Sequence, residues 1–303
     1  LSSFSFSMNS VLSRRGVASA SASAGAFITV LMGVPMFLVA ALATGQLFNV
    51  DQLTLNAYFL LSMAGILHFG VGRYFNYRSI GAIGATRAAP AQSLATPYAI
   101  LFAFVFLGES VNMLMAVGIV LVLLGPTIMV ERRKQPAQQS MMGGLGSGTV
   151  PEFEIKQMDG YLSSAAAVLA YGTSPILIRA ALQDTTGVAV LGGLVAYIAA
   201  SLALIVTLVH PKRRGLIMGM RMPAIQLFLG SGFFTFLAQL LRFAAFAVAP
   251  VAVVNPLMRT GSIFTLILSM TMNRHLEVIN RKVVAGILIS VAGVLLIVVN
   301  RTA

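Results

Sequence analysis

Long apolar runs alternate with short polar connections along almost the whole of this 303-residue chain. A helix rises ~1.5 Å per residue, so about 20 apolar residues are needed to cross a hydrocarbon core of roughly 30 Å. Nine runs are long enough, and they predict membrane-spanning helices near 19–44, 55–78, 82–107, 111–130, 161–180, 187–209, 224–247, 250–272 and 283–300. The pattern therefore predicts an all-α membrane protein.

The first residues of the chain form a shorter apolar segment. Residues 1–13 are apolar enough to lie in a membrane but too short to cross it. They begin with Leu, and they lack the ordered basic, apolar and small-residue regions that mark a signal peptide. We interpret them as the tail of a truncated first span, which brings the predicted number of helices to ten.

The second half of the chain repeats the first at a shift of 168 residues, as three pairs show: Glu109 and Glu277, Gly118 and Gly286, Gly125 and Gly293. Ten spans divide into five plus five, and an odd number per half makes the repeat inverted. The glycines, seven residues apart in each half, predict close helix packing. We predict a first repeat at 1–130, a polar linker rich in Gly, Ser, Gln and charge at 131–160, and a second repeat at 161–303.

Composition agrees with this architecture and excludes several functions. The chain has 58% apolar and 9% charged residues and a mean hydropathy of +0.90, far outside the range of soluble domains. It has no cysteine, which excludes disulfides and thiolate metal sites. It also lacks the zinc-protease helix motif, an intramembrane carboxylate pair, a nucleophile elbow and a phosphate-binding glycine loop. We therefore expect neither an enzyme nor a bound metal or cofactor.

The net charge of +12 follows the predicted loops. Most Lys and Arg residues lie on one predicted side of the membrane, whereas the other side has only Arg179 and Arg301. By the positive-inside rule, the loops after spans one, three, five, seven and nine face the cytoplasm, and the C-terminus faces outward. The basic charge is thus interpreted as a topology signal, and no nucleic-acid partner is expected.

Four arginines lie inside the predicted spans: Arg73, Arg87, Arg242 and Arg259. A charged side chain there costs at least ~2.5–3.5 kcal/mol, which makes each a candidate for function. The first three lie five residues, about 8 Å, from a span end, where snorkelling can reach the interface. For Arg73 and Arg87 a structural and a functional role both stay open. Arg73 and Arg242 mirror each other across the repeat if one residue of gap is allowed.

Arg259 is the deepest charge, nine residues into its span and about 14 Å from the nearer end. Asn255 precedes it on the same helical face, and Pro256 can interrupt the helix and free backbone carbonyls. The fourth span has a related cluster, with two prolines near Arg87. Paired proline-interrupted spans in the two halves point to a binding site at the membrane midplane. The structural alternative is that the arginines pin neighbouring helices and the prolines only kink them.

The acidic residues narrow the substrate class. All eight lie in loops or at span ends. Proton-coupled export of organic cations needs an intramembrane carboxylate, whereas arginines favour a carboxylate, phosphate or other anionic group. His68 could serve a proton step or be a packed polar residue. Gln239, three residues before Arg242, could supply a hydrogen bond in a cavity.

Two extended segments carry a family resemblance, each followed by a glycine-spaced helix: GRYFNYRSIGAIGATRAAPAQSLATPYAILFAFVFLGES with GIVLVLLG, and LRFAAFAVAPVAVVNPLMRTGSIFTLILSMTMNRHLE with GILISVAG. In these segments, and over nearly its whole length, the chain resembles the EamA-like branch of the drug/metabolite transporter superfamily. The resemblance implies a ten-helix inverted-repeat bundle whose central cavity is lined by spans one, three, four, six, eight and nine. It implies these lining residues: Asn9, His68, Arg73, Arg87, Tyr171, Gln239, Arg242, Asn255 and Arg259.

We expect a secondary transporter in a bacterial inner membrane that exports or exchanges a small anionic or zwitterionic metabolite by alternating access. Efflux of neutral or cationic amphipaths stays open, as does a non-transporting lipid-binding or sensory scaffold. The expected partners are a small-molecule substrate and the lipid bilayer, with a homodimer as a further option. Family members usually keep both termini in the cytoplasm, whereas the charge tally places this C-terminus outside. Either the orientation is reversed or the tally is misleading for such short loops.

Overall fold

The protein is helical throughout the part that the structure describes. The computed structural model describes residues 1–17, 22–83, 94–107, 112–129, 157–185, 187–209, 214–215 and 218–272, with short pieces at 285–286, 288–289, 291–293 and 295–296. These ranges contain no strand. Five helices within them are long and apolar enough to cross a membrane: Ala24–Ala43, Leu55–Asn76, Met158–Leu182, Ala189–Val209 and Met222–Val248. The predicted all-α membrane architecture is confirmed.

The first half contributes α1 (Ser2–Val17), α2 (Ala22–Ala43), α3 (Leu55–Gly65), α4 (Arg73–Ile83), α5 (Ala95–Leu107) and α6 (Met113–Met129). A π-helical segment, Ile66–Gly72, joins α3 to α4, so the two form one continuous third span. Side-chain caps set where two of these helices begin. The Thr54 side chain accepts the Ala57 amide hydrogen before α3, and the Asn112 side chain accepts that of Met115 before α6.

The second half contributes α7 (Gln157–Leu182), α8 (Ala189–Val206), α9 (Met222–Val248), α10 (Val251–Arg259) and α11 (Gly261–Met272). Pro250, which has no amide hydrogen, separates α9 from α10. The predicted interruption of the ninth span lies at Thr260, one turn after Pro256. There the Thr260 amide donates to the Leu257 carbonyl oxygen at 3.2 Å, which tightens the last turn of α10.

The ends of several helices differ from the apolar runs. Residues 82 and 83, predicted to begin the fourth span, end α4 of the third, and α7 begins at Gln157 rather than 161. One charge pair joins the two helices near these ends. The Arg78 Nε atom donates to the two Asp159 carboxylate oxygens at 3.0 and 3.3 Å. Asp159 lies in the first turn of α7, where the helix dipole favours a carboxylate. The start of α7 thus lies four residues before its apolar run, while residues 79–83 of α4, SIGAI, continue the third span.

The two halves pack on each other symmetrically. The first helix of the first half, α1, packs on the third helix of the second, α9. The first helix of the second half, α7, packs on α3, the π-helical segment and α4, which form the third span of the first. The second helices, α2 and α8, pack on each other, and each also packs on the other half's third span. Exchanging the halves preserves this pattern, as a pseudo-two-fold repeat requires.

The second helices interlock by one contact made twice, which we call the α2–α8 interlock. A Cβ atom on Gly33 of α2 would lie 2.1 Å from the Tyr197 ring, and one on Gly193 of α8 would lie 2.2 Å from the Phe37 ring. The two rings are fully buried, with centroids 4.9 Å apart. Each glycine thus makes room for the aromatic residue that lies four positions after the glycine of the other helix.

The predicted close packing of the repeated glycines is confirmed for Gly118 and Gly293. A Cβ atom on Gly293 would lie 2.6 Å from the Gly118 carbonyl oxygen and 2.7 Å from the Val122 amide nitrogen. Such distances are too short for any side chain, so the fifth and tenth spans meet backbone to backbone at this point. This contact closes the side of the bundle that is formed by the last span of each half.

Candidate functional site

A polar cluster lies where the two halves meet. His68 comes from the π-helical segment of the first half, Ser174 from α7, and Gln239 and Arg242 from α9. The His68 Nδ1 atom lies 2.9 Å from the Ser174 hydroxyl oxygen. Its Nε2 atom lies 3.3 Å from Nη1 of Arg242 and 3.5 Å from Nε2 of Gln239. We call these four residues the central cluster, and its hydrogen bonds join the two halves.

The guanidinium of Arg242, on α9, is buried between the helices of the bundle. Nη1 donates to the Gln239 amide oxygen at 3.1 Å, and Nη2 donates to the Ser174 hydroxyl oxygen at 3.4 Å. Its central carbon lies 5.3 Å from the centroid of the Phe246 ring, within the range of a cation–π contact. Arg242 is only 5% exposed. Hydrogen bonds and an aromatic face offset the cost of placing this charge inside the bundle.

Aromatic rings and a second arginine surround His68. The Phe69 and Tyr171 ring centroids lie 4.8 and 4.9 Å from that of His68. The central guanidinium carbon of Arg73 lies 5.5 Å from the Phe69 centroid, and its Nη1 atom donates to the Thr29 hydroxyl oxygen at 3.0 Å. The central cluster therefore contains one permanent positive charge, on Arg242. A second positive charge, on Arg73, and the aromatic rings of Phe69 and Tyr171 lie beside it.

The π-helical segment Ile66–Gly72 directs His68 towards the second half. Its i→i+5 pattern adds a residue to a turn, which rotates the side chains away from their α-helical directions, and such segments are frequent at functional sites. Gly65 brings the segment close to α8, because a Cβ atom there would lie 2.0 Å from the Ala196 carbonyl oxygen. The hydrophobic pattern of the sequence does not predict this segment. The available signal was the density of glycine, at 65, 70 and 72.

The unfilled space beside the central cluster is small. The space lined by His68, Phe69, Arg242, Phe243 and several small or aliphatic residues leaves no room for a water molecule. Binding sites for small molecules usually hold roughly 300–1,000 Å³. Within the described part of the chain, the space beside the cluster is therefore too small for a metabolite.

The structure brings together four of the residues implied as cavity lining, namely His68, Tyr171, Gln239 and Arg242, and it places Arg73 beside them. Asn9 lies apart, since it accepts a hydrogen bond from Ser231, which is eight residues, or about 12 Å, before Gln239 on α9.

The other three predicted residues lie away from the cluster or outside the described part of the chain. Asn255 is partly buried on α10. Arg259 ends α10, but its side chain lies outside the described part of the chain, and Arg87 lies in the undescribed range 84–93. The binding roles of these three residues stay predictions. Among the described residues no group of three or more His, Asp or Glu side chains could hold a metal ion.

Ser174 is the member of the central cluster that was not predicted from the sequence. It is fully buried and contacts both His68 and Arg242. The available signal was a hydroxyl residue directly before Pro175 in the middle of an apolar span, which is the kind of interruption noted in the fourth and ninth spans.

Arg179 has a structural role instead. Its Nη1 atom donates to the carbonyl oxygens of Phe246 and Ala247 at 3.0 and 2.9 Å. Carbonyls in the last turn of a helix have no partner within the helix, and a cation there also interacts favourably with the helix dipole. Arg179 on α7 therefore caps the C-terminal end of α9.

Comparisons with known proteins agree with this architecture. A crystal structure of another protein superposes with a TM-score of 0.68 over 97% of this chain and 94% of that chain, at 16% sequence identity, which shows the shared fold. No curated protein sequence matches the chain. The model of the EamA-like transporter family matches residues 1–130 and 158–299, and this family fits a ten-helix repeated bundle. The chain therefore belongs to the EamA-like transporter family of the drug/metabolite transporter superfamily, and it is a multi-pass membrane transporter of that type.

Proposed function

We propose that this protein is a secondary transporter of small anionic or zwitterionic metabolites in a bacterial inner membrane, and that it exports or exchanges them by alternating access. The observation that carries the proposal is the guanidinium of Arg242, buried between the halves in a cluster of neutral hydrogen-bonding groups. A guanidinium is always charged and presents a planar fork that matches a carboxylate or a phosphate. Arg73 adds a second positive charge at the same place.

The position of the acidic residues supports an anionic rather than a cationic substrate. Asp51, Asp159 and Asp184, the acidic residues in the described ranges, lie in connections or at a helix end. None of these three joins the central cluster. A site for organic cations needs a carboxylate within the membrane to balance the cation, whereas an anion is attracted by the two arginines.

The position of the central cluster supports alternating access. His68 belongs to the first half and its partners Ser174 and Arg242 to the second, so separation of the halves breaks these bonds and exposes the guanidinium. Closure around a bound substrate would place new bonds to Arg242 where the present ones lie. The site is thus built to be reached from one side at a time.

The test is uptake by purified protein in liposomes. The labelled probes are lactate, aspartate and inorganic phosphate as anions, alanine as a zwitterion, glycerol as a neutral compound and ethidium as a cation. We expect saturable uptake of at least one anion or of alanine, with no protein-dependent uptake of glycerol or ethidium. Uptake of ethidium alone would support the efflux of cationic amphipaths instead, and uptake of none would support a scaffold.

Cysteine labelling in intact cells tests the orientation given by the charge tally. The chain has no native cysteine, so single introduced thiols are unambiguous. Gln52→Cys lies in the exposed connection before α3, and Gly215→Cys lies in an exposed position where an added Cβ meets nothing within 4 Å. We expect a membrane-impermeant maleimide to label position 52 and to label position 215 only after lysis. The opposite result would show that the positive-inside tally is misleading here.

A further inference from the structure

The hydrogen bonds of His68 determine where its proton lies. A guanidinium can only donate, so the contact from Nη1 of Arg242 at 3.3 Å makes Nε2 of His68 an acceptor. The ring proton then lies on Nδ1, which donates to the Ser174 hydroxyl oxygen at 2.9 Å. In the closed arrangement His68 is therefore the neutral imidazole with its proton on Nδ1.

A second proton on His68 and the bond from Arg242 exclude each other. Protonated Nε2 would be a donor facing the donor Nη1 of Arg242, with two positive charges in contact. If the guanidinium turns to a substrate carboxylate, Nε2 loses that donor and the charge of Arg242 is balanced. Once the Gln239 amide, whose nitrogen lies 3.5 Å away, also turns its oxygen towards Nε2, a proton can bind there. The anion and the proton are thus admitted by the same movement.

The groups around His68 on each helix packed against it are consistent with this exchange. Ser174 and Tyr171 face it from α7, and Gln239 and Arg242 from α9. Tyr197 on α8 contacts Phe69, the residue next to His68, and Arg73 follows on the same span. The charged groups are arginines, and no described carboxylate is among them. Among these described side chains, His68 is the one whose type commonly accepts and releases a proton in proteins.

We propose that His68 is the proton-carrying group of the transporter, so that one proton crosses the membrane with each substrate carboxylate or phosphate that pairs with Arg242. On the entry side the anion binds the guanidinium, and Nε2 of His68 takes a proton from water. On the exit side the anion leaves, Arg242 returns to Nε2, and the proton passes to water. This inference rests on the proposed function, because it needs an anion at Arg242.

The experiment uses liposomes that contain the full chain and an internal pH dye. The probe is chosen from lactate, aspartate, phosphate and alanine. It must be taken up by the wild-type protein and excluded by protein-free liposomes. A pH gradient of one unit, acidic outside, is expected to drive roughly ten-fold accumulation at one-to-one coupling. The internal pH should fall as the probe enters. His68→Gln should abolish both effects yet retain exchange of labelled for unlabelled probe, because glutamine can still accept from Arg242 and donate to Ser174 but cannot take a proton.

Ser79→Ala is the matched control for His68→Gln, because it also changes a polar contact between the third span and α7. Ser79 bonds to Ser164 at 2.6 Å between α4 and α7, eleven residues from His68, and its variant should keep the accumulation. Accumulation by His68→Gln at the wild-type level would overturn the inference, as would wild-type uptake that ignores the pH gradient. In that second case anion transport itself would stand. If the wild type takes up no anion or zwitterion, the proposed function and this inference both fail.

Discussion

Replacing Arg242 with Ala is expected to lower the rate of anion uptake by at least ~100-fold. Hydrogen bonds to a charged group contribute about 1.5–3 kcal/mol each, and a guanidinium fork makes two of them to a carboxylate, which together correspond to a factor of roughly 100 or more. The measurement is the initial rate of uptake of the anion that the wild type carries, in liposomes and per mole of folded protein. Arg242→Lys keeps the positive charge without the guanidinium fork, so its uptake rate should fall between those of the wild type and Arg242→Ala.

The control for Arg242→Ala is Arg179→Ala. Both residues are arginines that bond across helices, but Arg179 donates to the terminal carbonyls of α9 rather than to the central cluster. Each variant leaves buried acceptors without a donor, at a cost of about 1–3 kcal/mol, and thermal unfolding should show this for both. Only Arg242→Ala should change the rate per folded molecule. An unchanged uptake rate for Arg242→Ala would show that Arg242 does not bind the substrate. The main support for an anionic substrate would then be lost.

Gly65→Ala is expected to lower the free energy of unfolding by about 3 kcal/mol or more. Overpacking a close-packed contact usually costs about 1–3 kcal/mol, and more where nothing can move aside. At this position the added methyl would meet the backbone of Ala196, with the carbonyl oxygen at 2.0 Å and the carbonyl carbon at 2.7 Å. A backbone cannot change rotamer, so α3 and α8 must separate. Thermal unfolding and the fraction of monodisperse protein in detergent measure the effect.

Gly70→Ala is the matched control, since Gly70 lies in the π-helical segment five residues after Gly65. The nearest atom to an added Cβ there is a methyl of Ile66 at 4.0 Å, which is an ordinary contact. We expect its unfolding temperature to match or slightly exceed that of the wild type, because alanine loses less backbone entropy than glycine in a helix. Equal stability of the two variants would show that the α3–α8 crossing is wider than described.

The positions of five spans, which the described residues show as long apolar helices, could be predicted because crossing a membrane imposes a length that apolar composition alone reveals. The repeated glycines could also be predicted to pack closely, since their spacing places them on one helix face. The exact helix ends could not. Arg78 and Asp159 are 81 residues apart, so their contact near the end of α4 and the start of α7 exists only in the folded chain.

The candidate site was accessible to prediction only in part. Charge inside an apolar span identifies Arg242 and Arg73 from the sequence, because the energetic penalty applies wherever the helix packs. A buried hydroxyl such as Ser174 carries little penalty and thus little signal. The π-helical turn at His68 leaves only a weak signal in the sequence, the glycines at 65, 70 and 72.

The α2–α8 interlock is self-complementary, and this has a consequence for how such a chain can arise. The contact needs one glycine and one ring four positions later, and each half carries both. Two identical copies of such a half would therefore fit together about a two-fold axis with no change in either. Fusing those copies into one polypeptide would add no new contact at this place. It would free each half to vary elsewhere, and the pairing of His68 in one half with Ser174 and Arg242 in the other is a difference of that kind.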